Sequence, residues 1–368
     1  MLLSIKTCLK LNSSQRVLMS KHAGIARFTY NWGLATWQAL YKDGYKPNHR
    51  LLRTFFNNHV KTNPDLAWLK ENGICQKTTE FAFEHLGDSY KRFFKGIGAY
   101  PNFKKKGRST DSFTINASGK PISVGGTCIK LPTIGWVKTY EGLPHVQTSK
   151  FTISERAGNW YISFAFEQTA EQSADKISVV GVDLGINELA TLSTGVVFNN
   201  PRATNKMKKK LAKKQRQLAR KVKGSNQYIK QKLRVAKIHK RTSDIRLDAT
   251  HKATTIISKN HAKIVVENLN VSGMMANHKL AGAVSDANFY EFRRQLEYKT
   301  KLFGSEIILA GRFYPSSKTC SSCGHIQNMP LKVRTFDCQK CGIIIDRDLN
   351  ASINLSKLGQ AVVLNADG

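Results

Sequence analysis

Residues 178–194, SVVGVDLGINELATLST, hold two apolar segments separated by a short polar turn. The first segment, Ser178 to Val182, leads directly into Asp183, and the second runs from Leu189 to Thr194. Short apolar segments bounded by turn residues are typical of buried strands, and Gly185 suits the reversal between them. The stretch therefore predicts a hairpin in a buried sheet with a carboxylate at its bend.

Two further sites carry acids after apolar segments. Residues 262–266 form a third apolar strand pattern that ends in Glu267, and a short apolar segment near the carboxyl terminus leads into Asp346 and Asp348. Two-metal cleavage of a phosphodiester needs carboxylates that converge from separate strands, and oxygen ligands favour Mg²⁺ or Mn²⁺. The pattern predicts a site of Asp183, Glu267 and a third acid, with both later aspartates as candidates. A single acid at a strand end is more often a turn or capping residue, so only their joint occurrence favours catalysis.

Four cysteines form two CxxC pairs separated by 14 residues, and a glycine follows each pair. Four thiolates at this spacing predict a tetrahedral, structural Zn²⁺ site, with a redox dithiol pair as the alternative. The predicted ligands are Cys320, Cys323, Cys338 and Cys341. The other three cysteines have no partner by spacing and are predicted to be small core residues: Cys8, Cys75 and Cys128.

The chain has 368 residues, and its 58 Lys plus Arg against 25 Asp plus Glu give a net charge of +33. This excess predicts a polyanionic partner, with a merely solvated basic surface as the alternative. Nucleic acid is favoured over a membrane because no apolar stretch approaches the length of a membrane span. Lys6 and Lys10 interrupt the first apolar residues, so we expect no export signal, a cytoplasmic location and reduced cysteines.

The basic residues concentrate in two places. Residues 202–246 contain 18 Lys plus Arg and one acid, Asp244, and their apolar spacing predicts two helices joined at Gly224. A solvated helix normally mixes charge signs, so we interpret this hairpin as a contact for backbone phosphates. A second basic cluster follows Pro101 at the start of a β-rich region. The candidate nucleic-acid contacts are Lys104, Lys105, Lys106, Lys208, Lys209, Lys210, Lys213 and Lys214.

The remaining patterns predict an α+β multidomain protein. Helices dominate up to about Phe94, and short alternating segments between residues 112 and 167 predict a small β-barrel or sandwich. After Glu267 we expect a helix from Asp286 to Phe303, a strand from Glu306 to Ala310, and a last helix that begins near Asn350.

The sequence resembles the TnpB family, the OrfB-type proteins of bacterial insertion sequences related to the type V CRISPR effector nucleases. The resemblance spans nearly the whole chain, and YPSSKTCSSCG at 314–324 is its strongest part. Further matching motifs are GVDLGIN at 181–187, VVENLN at 265–270, FRRQLEYKTKLFG at 292–304, CQKCG at 338–342 and DRDLNAS at 346–352. A small departure is Ser352, where alanine is common.

The resemblance implies an RNA-guided DNA endonuclease. Proteins of this family bind a guide RNA from the transposon end, read a short target-adjacent motif, and cut both strands of double-stranded DNA at one RuvC-like site. The resemblance further implies catalytic roles for Asp183 and Glu267 and selects Asp348, rather than Asp346, as the third acid. We expect two Mg²⁺ (or Mn²⁺) ions, a structural Zn²⁺, no membrane partner and a monomer.

The implied architecture is a wedge β-barrel with a helical insert, followed by an RNase H-like (RuvC) domain that carries an inserted zinc ribbon. The expected parts are the barrel (1–20 and 97–177), the helical recognition insert (21–96), the nuclease domain (178–313 and 343–368) with its basic hairpin (204–258), and the zinc ribbon (314–342). Alternative functions are a guided DNA-binding regulator without cleavage, an unguided transposase, and a passive zinc-ribbon RNA-binding protein.

Overall fold

The computed structural model describes residues 1–117, 122–170, 176–330 and 332–364. The chain divides into two compact units, an amino-terminal unit, Leu2–Gln168, and a carboxyl-terminal unit that comprises Thr169–Gly368 with Met1. The last four residues of the expected nuclease segment 343–368 lie outside the described residues. Among the helices that the structure describes, none is both long enough and apolar enough to cross a bilayer.

The described residues of the amino-terminal unit form a six-stranded antiparallel half-barrel with the strand order β2-β5-β6-β1-β4-β3. Its strands are β1 (Leu2–Lys10), β2 (Ser112–Asn116), β3 (Ile122–Leu131), β4 (Gly135–Thr148), β5 (Lys150–Arg156) and β6 (Asn159–Glu167). β1 pairs with β6 through most of its length and with β4 at its end. The first strand therefore lies in the middle of a sheet whose other strands come much later in the sequence.

Helices occupy the sequence between β1 and β2. They are α1 (Ser13–Lys42), α2 (His49–Phe55), a π-helical turn (Phe56–Val60), a 3-10 helix (Pro64–Lys70) and α3 (Lys77–Phe94). Asn12 begins α1 with a capping box, since its side chain accepts from the Gln15 N–H and Gln15 bonds back. α1 therefore begins before residue 21, where the sequence placed the start of the helical insert.

Two apolar cores support the amino-terminal unit. Alternating residues of β2 and β5, including Phe113, Ile115 and Phe151, are fully buried in the half-barrel. The helices bury a separate aromatic cluster, in which the Phe56 and Phe83 ring centroids lie 5.4 Å apart. The helical segment thus has a core of its own.

The described residues of the carboxyl-terminal unit form a five-stranded sheet with the order β11-β10-β7-β8-β9. β7, β10 and β11 are parallel, whereas β8 and β9 are antiparallel to their neighbours. The strands are β7 (Ile177–Asp183), β8 (Glu188–Leu192), β9 (Val197–Asn199), β10 (His261–Glu267) and β11 (Glu306–Ala310). Asp183 is the last residue of β7 and pairs with Thr191, so the predicted hairpin is present and its acid belongs to the strand.

Six helices accompany this sheet in the described residues: α4 (Ala203–Ala219), α5 (Asn226–Asn260), α6 (Val271–Ala276), α7 (Ala281–Ala287), α8 (Phe289–Phe303) and α9 (Arg347–Leu364). α5 and α8 pack on one face of the sheet, where Val180, Val182 and Ile257 are buried. α9 packs on the other face against Val179 and Val265. The basic hairpin predicted for 204–258 corresponds to α4 and α5.

Gly181 permits the close approach of α9 to β7. A Cβ atom at this position would lie 2.5 Å from the Ser356 backbone nitrogen and even closer to the Ser352 carbonyl oxygen. Ser352 is fully buried, and its hydroxyl donates to the Leu349 carbonyl at 2.7 Å, within its own helix. Ser352, at a position where alanine is common, is thus buried without leaving its hydroxyl donor unsatisfied.

Two sequence predictions on helix boundaries were wrong. The helix expected from Asp286 is interrupted, because Asn288 adopts a left-handed conformation with φ of 59° between α7 and α8. Asp286 lies in α7, where it is buried and accepts from the Thr204 N–H at 3.0 Å, next to the start of α4. The last helix begins at Arg347 rather than near Asn350, because β13 (Ile344–Asp346), which pairs with β12 (Thr335–Asp337), leads directly into it.

Candidate active site and cysteine cluster

Asp183 and Glu267 end two adjacent parallel strands. The register of β7 and β10 aligns Val182 with Val266, so the two acids that follow lie at the same edge of the sheet. Because side chains alternate along a strand, both acids share the face of Val265, which α9 covers. The carboxyl ends of parallel strands are the usual location of ligand sites in such sheets.

Asp348 lies in the first turn of α9. A Cβ atom on Gly185, in the turn after Asp183, would lie 3.9 Å from Asp348 Oδ2, so the carboxylate faces that turn. Asp346 has a different role, since its Oδ1 accepts from the backbone N–H groups of Asp348 and Leu349, both at 3.0 Å. That geometry is an N-cap, which engages Asp346 in holding the start of the helix.

The electrostatics of the cluster show that the acids repel one another. Burial, followed by the charges of Glu267 and Asp348, raises the pKa of Asp183 well above its ordinary value. Burial and Asp346 likewise raise the pKa of Asp348, against the opposing effects of Arg334 and Arg347. Carboxylates forced together in a partly buried site are the donor set that a hard divalent cation stabilises. These residues therefore fit Mg²⁺ or Mn²⁺.

Two neighbours contact the acids directly. The Ser316 hydroxyl donates a short hydrogen bond to Glu267 Oε1, and Ser316 is itself buried. Arg334 Nη1 lies 3.6 Å from Asp348 Oδ1. Ser316 thereby fixes one oxygen of Glu267, while the Arg334 side chain is half exposed, so solvent weakens its longer contact with Asp348.

A cleft opens beside Glu267. One cavity of about 490 Å³ is lined by Glu267, Tyr290, Arg293 and Arg312, and a smaller one of about 270 Å³ by Glu267, Phe313 and Lys318 among others. Cationic and aromatic side chains suit the phosphates and bases of a nucleic-acid strand. Glu267 thus borders a space whose chemistry matches a polynucleotide.

The four predicted cysteines form one cluster, with all ligand atoms within 4.8 Å of one another. The Sγ atoms of Cys320 and Cys341 are 3.7 Å apart, and so are those of Cys323 and Cys338. Four sulfurs at about 2.3 Å from a tetrahedral zinc are about 3.8 Å apart, so the spacing fits this ion.

The two cysteine turns have the same backbone geometry. In the first, the Gly324 N–H donates to the Cys320 carbonyl at 3.0 Å, and in the second, the Gly342 N–H donates to the Cys338 carbonyl at 2.9 Å. Both glycines adopt positive φ, 74° and 71°, which other residues rarely do. The glycine after each CxxC pair thus closes the turn that presents the thiols.

Helix α9 binds the loop that carries the first cysteine pair. Asn350, which is fully buried, accepts from the Ser321 N–H and donates to the Thr319 carbonyl, each at 2.8 Å. One helical turn later, Asn354 donates to the Thr319 carbonyl at 2.7 Å and to the Ser316 carbonyl at 2.8 Å. The same loop therefore contacts the cysteine cluster, the helix of Asp348 and the carboxylate of Glu267.

The candidate basic residues of the amino-terminal unit differ in their surroundings. Lys104 is partly buried, its Nζ lies 4.0 Å from the Tyr30 ring centroid, and its backbone N–H and carbonyl bond to the Asn31 side chain. Burial lowers the pKa of Lys104. Lys105 and Lys106 are exposed and accessible to a phosphate.

The candidate lysines of α4 divide into three groups. Lys210 and Lys214 line a cavity with residues of α5, Lys208 lines another cavity with Asn187 and Arg202, and Lys209 and Lys213 are exposed and line neither.

Several residues at the site were missed by sequence reasoning. Ser316 lies within the YPSSKTC motif, and Asn350 and Asn354 are four residues apart, so their helical spacing already places them on one face. Arg334 has no comparable signal, because only the folded chain brings it to Asp348.

Comparison with known proteins agrees with the geometry. A solved cryo-EM structure of a Cas12f1–sgRNA–target DNA complex matches 94% of this chain and 83% of that chain with a TM-score of 0.56 at 13% sequence identity. At this identity the match concerns the fold alone. The protein therefore belongs to the class of mixed α+β proteins with the fold of Cas12 effectors.

Relatives with similar sequences identify the family more specifically than the fold does. A protein of Streptomyces pristinaespiralis named "Putative RNA-guided DNA endonuclease" is 34% identical, with 96% of this chain and 88% of the relative covered. InsQ of Escherichia coli K12, which carries the same description, is 34% identical over 98% of this chain and 93% of its own length. Family models described as "Probable transposase", "Cas12f1-like, TNB domain" and "Helix-turn-helix domain" match residues 162–278, 289–355 and 1–46. The chain belongs to the TnpB (OrfB) family of insertion-sequence proteins.

Proposed function

We propose that this protein is an RNA-guided DNA endonuclease of a bacterial insertion sequence that acts in the cytoplasm. It binds a guide RNA from the transposon end, reads a short target-adjacent motif, and cleaves both strands of the paired DNA. The observation that carries the proposal is the convergence of Asp183, Glu267 and Asp348 at one edge of the carboxyl-terminal sheet.

The three acids are the proposed ligands of two Mg²⁺ (or Mn²⁺) ions, which would supply an activated water and stabilise the leaving oxygen. Asp183 and Glu267 are held by adjacent strands, and Asp348 by the first turn of α9. Ser316 orients Glu267. Asp346 caps the helix and has no proposed role as a ligand.

We further propose the domain assignment that the family implies. The half-barrel would be the wedge, the helices between β1 and β2 the recognition insert, the five-stranded sheet with its helices the RuvC domain, and residues 314–342 a zinc ribbon. Support comes from the position of the helices within the half-barrel sequence and from the Sγ distances of the cysteine cluster. The ribbon would hold its Zn²⁺ for structure, since four thiolates leave no open coordination position.

The proposal is tested by expressing the protein with its native flanking DNA and assaying cleavage of a plasmid matched to the guide. Asp348→Asn removes a proposed ligand and is expected to abolish Mg²⁺-dependent cleavage, with RNA binding retained. Asp346→Ser is the matched control, because serine keeps an N-cap oxygen while it also removes one negative charge.

We expect the control to cut at near wild-type rate. Full cleavage by Asp348→Asn would overturn the proposed site. Loss of cleavage in both variants would show that Asp346 is also essential. The family description "Probable transposase" supplies the second candidate. Strand joining without dependence on the guide would favour that function over the proposed one.

A further inference from the structure

The basic hairpin contains a cleft between its two helices. Met207, Lys210 and Lys214 of α4 face Arg234, Lys237, Ile238 and Arg241 of α5 around a cavity of about 520 Å³. Apart from the adjacent Lys237 and Ile238, the positions on each helix are three, four or seven residues apart, so each helix contributes one face. The volume lies within the range of roughly 300–1,000 Å³ that is typical of ligand sites.

Five of the seven lining side chains are cationic, and in the described part of the chain no acid lines the cavity. Asp244, the acid of this basic segment, pairs with Lys240 at 2.5 Å instead. The cleft therefore concentrates positive charge that no lining carboxylate neutralises. Repulsion among these cations disfavours the folded hairpin until an anion enters.

Amide side chains hold the cations in place. Gln231 is buried, and its Nε2 donates across the hairpin to the Lys214 carbonyl at 3.0 Å and to Gln217 Oε1 at 3.2 Å. Lys214 donates to the same Gln217 oxygen, and Arg234 donates to Gln231 Oε1, both at 3.2 Å. Neutral amides satisfy donors without cancelling charge, so the amides orient Lys214 and Arg234 without supplying a counter-charge.

We propose that this cleft is a binding site for the phosphodiester backbone of a nucleic-acid strand. Lys210, Lys214, Arg234, Lys237 and Arg241 contact consecutive phosphates, while Met207 and Ile238 form the apolar floor. The proposed binding depends on the proposed function only for the identity of the strand, which is guide RNA or target DNA. Its chemistry carries no base recognition, so binding is independent of sequence.

Two double variants separate the cleft from general charge. Lys210→Gln/Lys214→Gln removes two cleft cations, and Lys42→Gln/Lys46→Gln removes two exposed lysines with the same spacing outside the hairpin. Both lower the net charge equally. Binding of the full-length protein to a labelled RNA oligonucleotide and to a labelled DNA duplex is measured against salt concentration, without magnesium so that no strand is cut.

For at least one probe, we expect the cleft variant to bind at least about tenfold more weakly and to lower the slope of log K against log salt by about 2, one per lost phosphate contact. The control variant should stay close to wild type, and Lys210→Arg/Lys214→Arg should restore binding. A loss confined to the RNA or to the duplex supports the cleft and assigns its strand.

Equal losses in the cleft and control variants overturn the proposal, as does an unchanged cleft variant. Circular dichroism shows whether the cleft variant loses helix or only loses contacts with the probe. If the glutamine variant loses helix, the comparison of Lys210→Arg/Lys214→Arg with wild type still tests the cleft. Wild-type protein that binds neither probe would overturn the proposed function as well, whereas intact binding with absent cleavage would overturn the nuclease and leave the cleft standing.

Discussion

Replacement of Asp183 by asparagine should make the metal-free protein more stable and abolish cleavage. Burial and the nearby carboxylates raise the pKa of Asp183 well above its ordinary value. An acid whose pKa is higher in the folded than in the unfolded state destabilises the fold as the pH rises through the folded-state pKa. At neutral pH, which lies above the ordinary pKa of an aspartate, the raised pKa of Asp183 therefore opposes folding, and a neutral amide of the same shape removes that cost.

The size of the effect follows from the linkage between pKa and stability. Each unit by which the folded-state pKa exceeds the unfolded value corresponds to about 1.4 kcal/mol. A change of 1 kcal/mol moves the Tm of a unit of this size by about 2–4 °C. We therefore expect Asp183→Asn to raise the Tm at pH 7 in the absence of divalent ions, by about 2–4 °C for each kcal/mol of the cost that it removes.

In the presence of Mg²⁺, wild type should be more stable than Asp183→Asn. A ligand present at about one hundred times its Kd stabilises the folded state by about 2.7 kcal/mol, and this gain requires the intact carboxylate site. Differential scanning calorimetry with and without Mg²⁺ measures both effects. Asp248→Asn is the control, since Asp248 is exposed, pairs with Lys252 at 2.8 Å, and should change the Tm little.

A metal-free Asp183→Asn variant that is less stable than wild type would refute the electrostatic reasoning. An equal response of wild type and variant to Mg²⁺ would refute the assignment of Asp183 as a ligand.

Three further predictions concern the surroundings of the site. Cys338→Ser should release the bound zinc and increase amide exchange in residues 314–346, whereas Cys128→Ser, outside the cluster, should retain the metal in atomic emission measurements. Ser316→Ala should raise the Mg²⁺ concentration needed for half-maximal cleavage by about 10–100-fold, because the hydroxyl orients Glu267. Recovery in Ser316→Thr would distinguish this role from a packing defect. An unchanged Mg²⁺ requirement in Ser316→Ala would contradict it. Burial lowers the pKa of Lys299 to about 8, so this lysine loses its proton at a lower pH in the folded protein than in the unfolded chain. In thermal melts, wild type should therefore gain stability relative to Lys299→Met between about pH 8 and pH 10. The same pH dependence in both proteins would exclude this titration.

Four of the five strands described in the carboxyl-terminal sheet were predictable because they are short apolar segments, two of which lead into single acids, whereas β9 was not predicted. The strand expected at Glu306 to Ala310 has those bounds in the structure, and the segment before Glu267 forms β10. The cysteine cluster was also predictable, since two CxxC pairs and their glycines determine the turns locally. In both cases the controlling information lies within a few consecutive residues.

Other features depend on contacts between distant parts of the chain. Sequence alone left the third acid open between Asp346 and Asp348, and the capping bonds of Asp346 give it a separate structural role. The lysines that line the α4–α5 cleft differ from their neighbours only in the direction they face across the hairpin, which charge counting does not reveal. At the break between α7 and α8, Asn288 likewise makes a contact with a distant part of the chain, since its side-chain amide donates to the Thr250 hydroxyl at 3.3 Å.

The central claim is that the acid site cuts DNA chosen by an RNA that the protein carries. The most direct test is to express the protein with its native flanking DNA, sequence the RNA that co-purifies, replace the end of that RNA, and map the cuts in DNA that contains both the original and the replacement target. Cutting should move to the new target, and Asp348→Asn should abolish it there. Cuts that stay at the original positions after the RNA end is changed would contradict it.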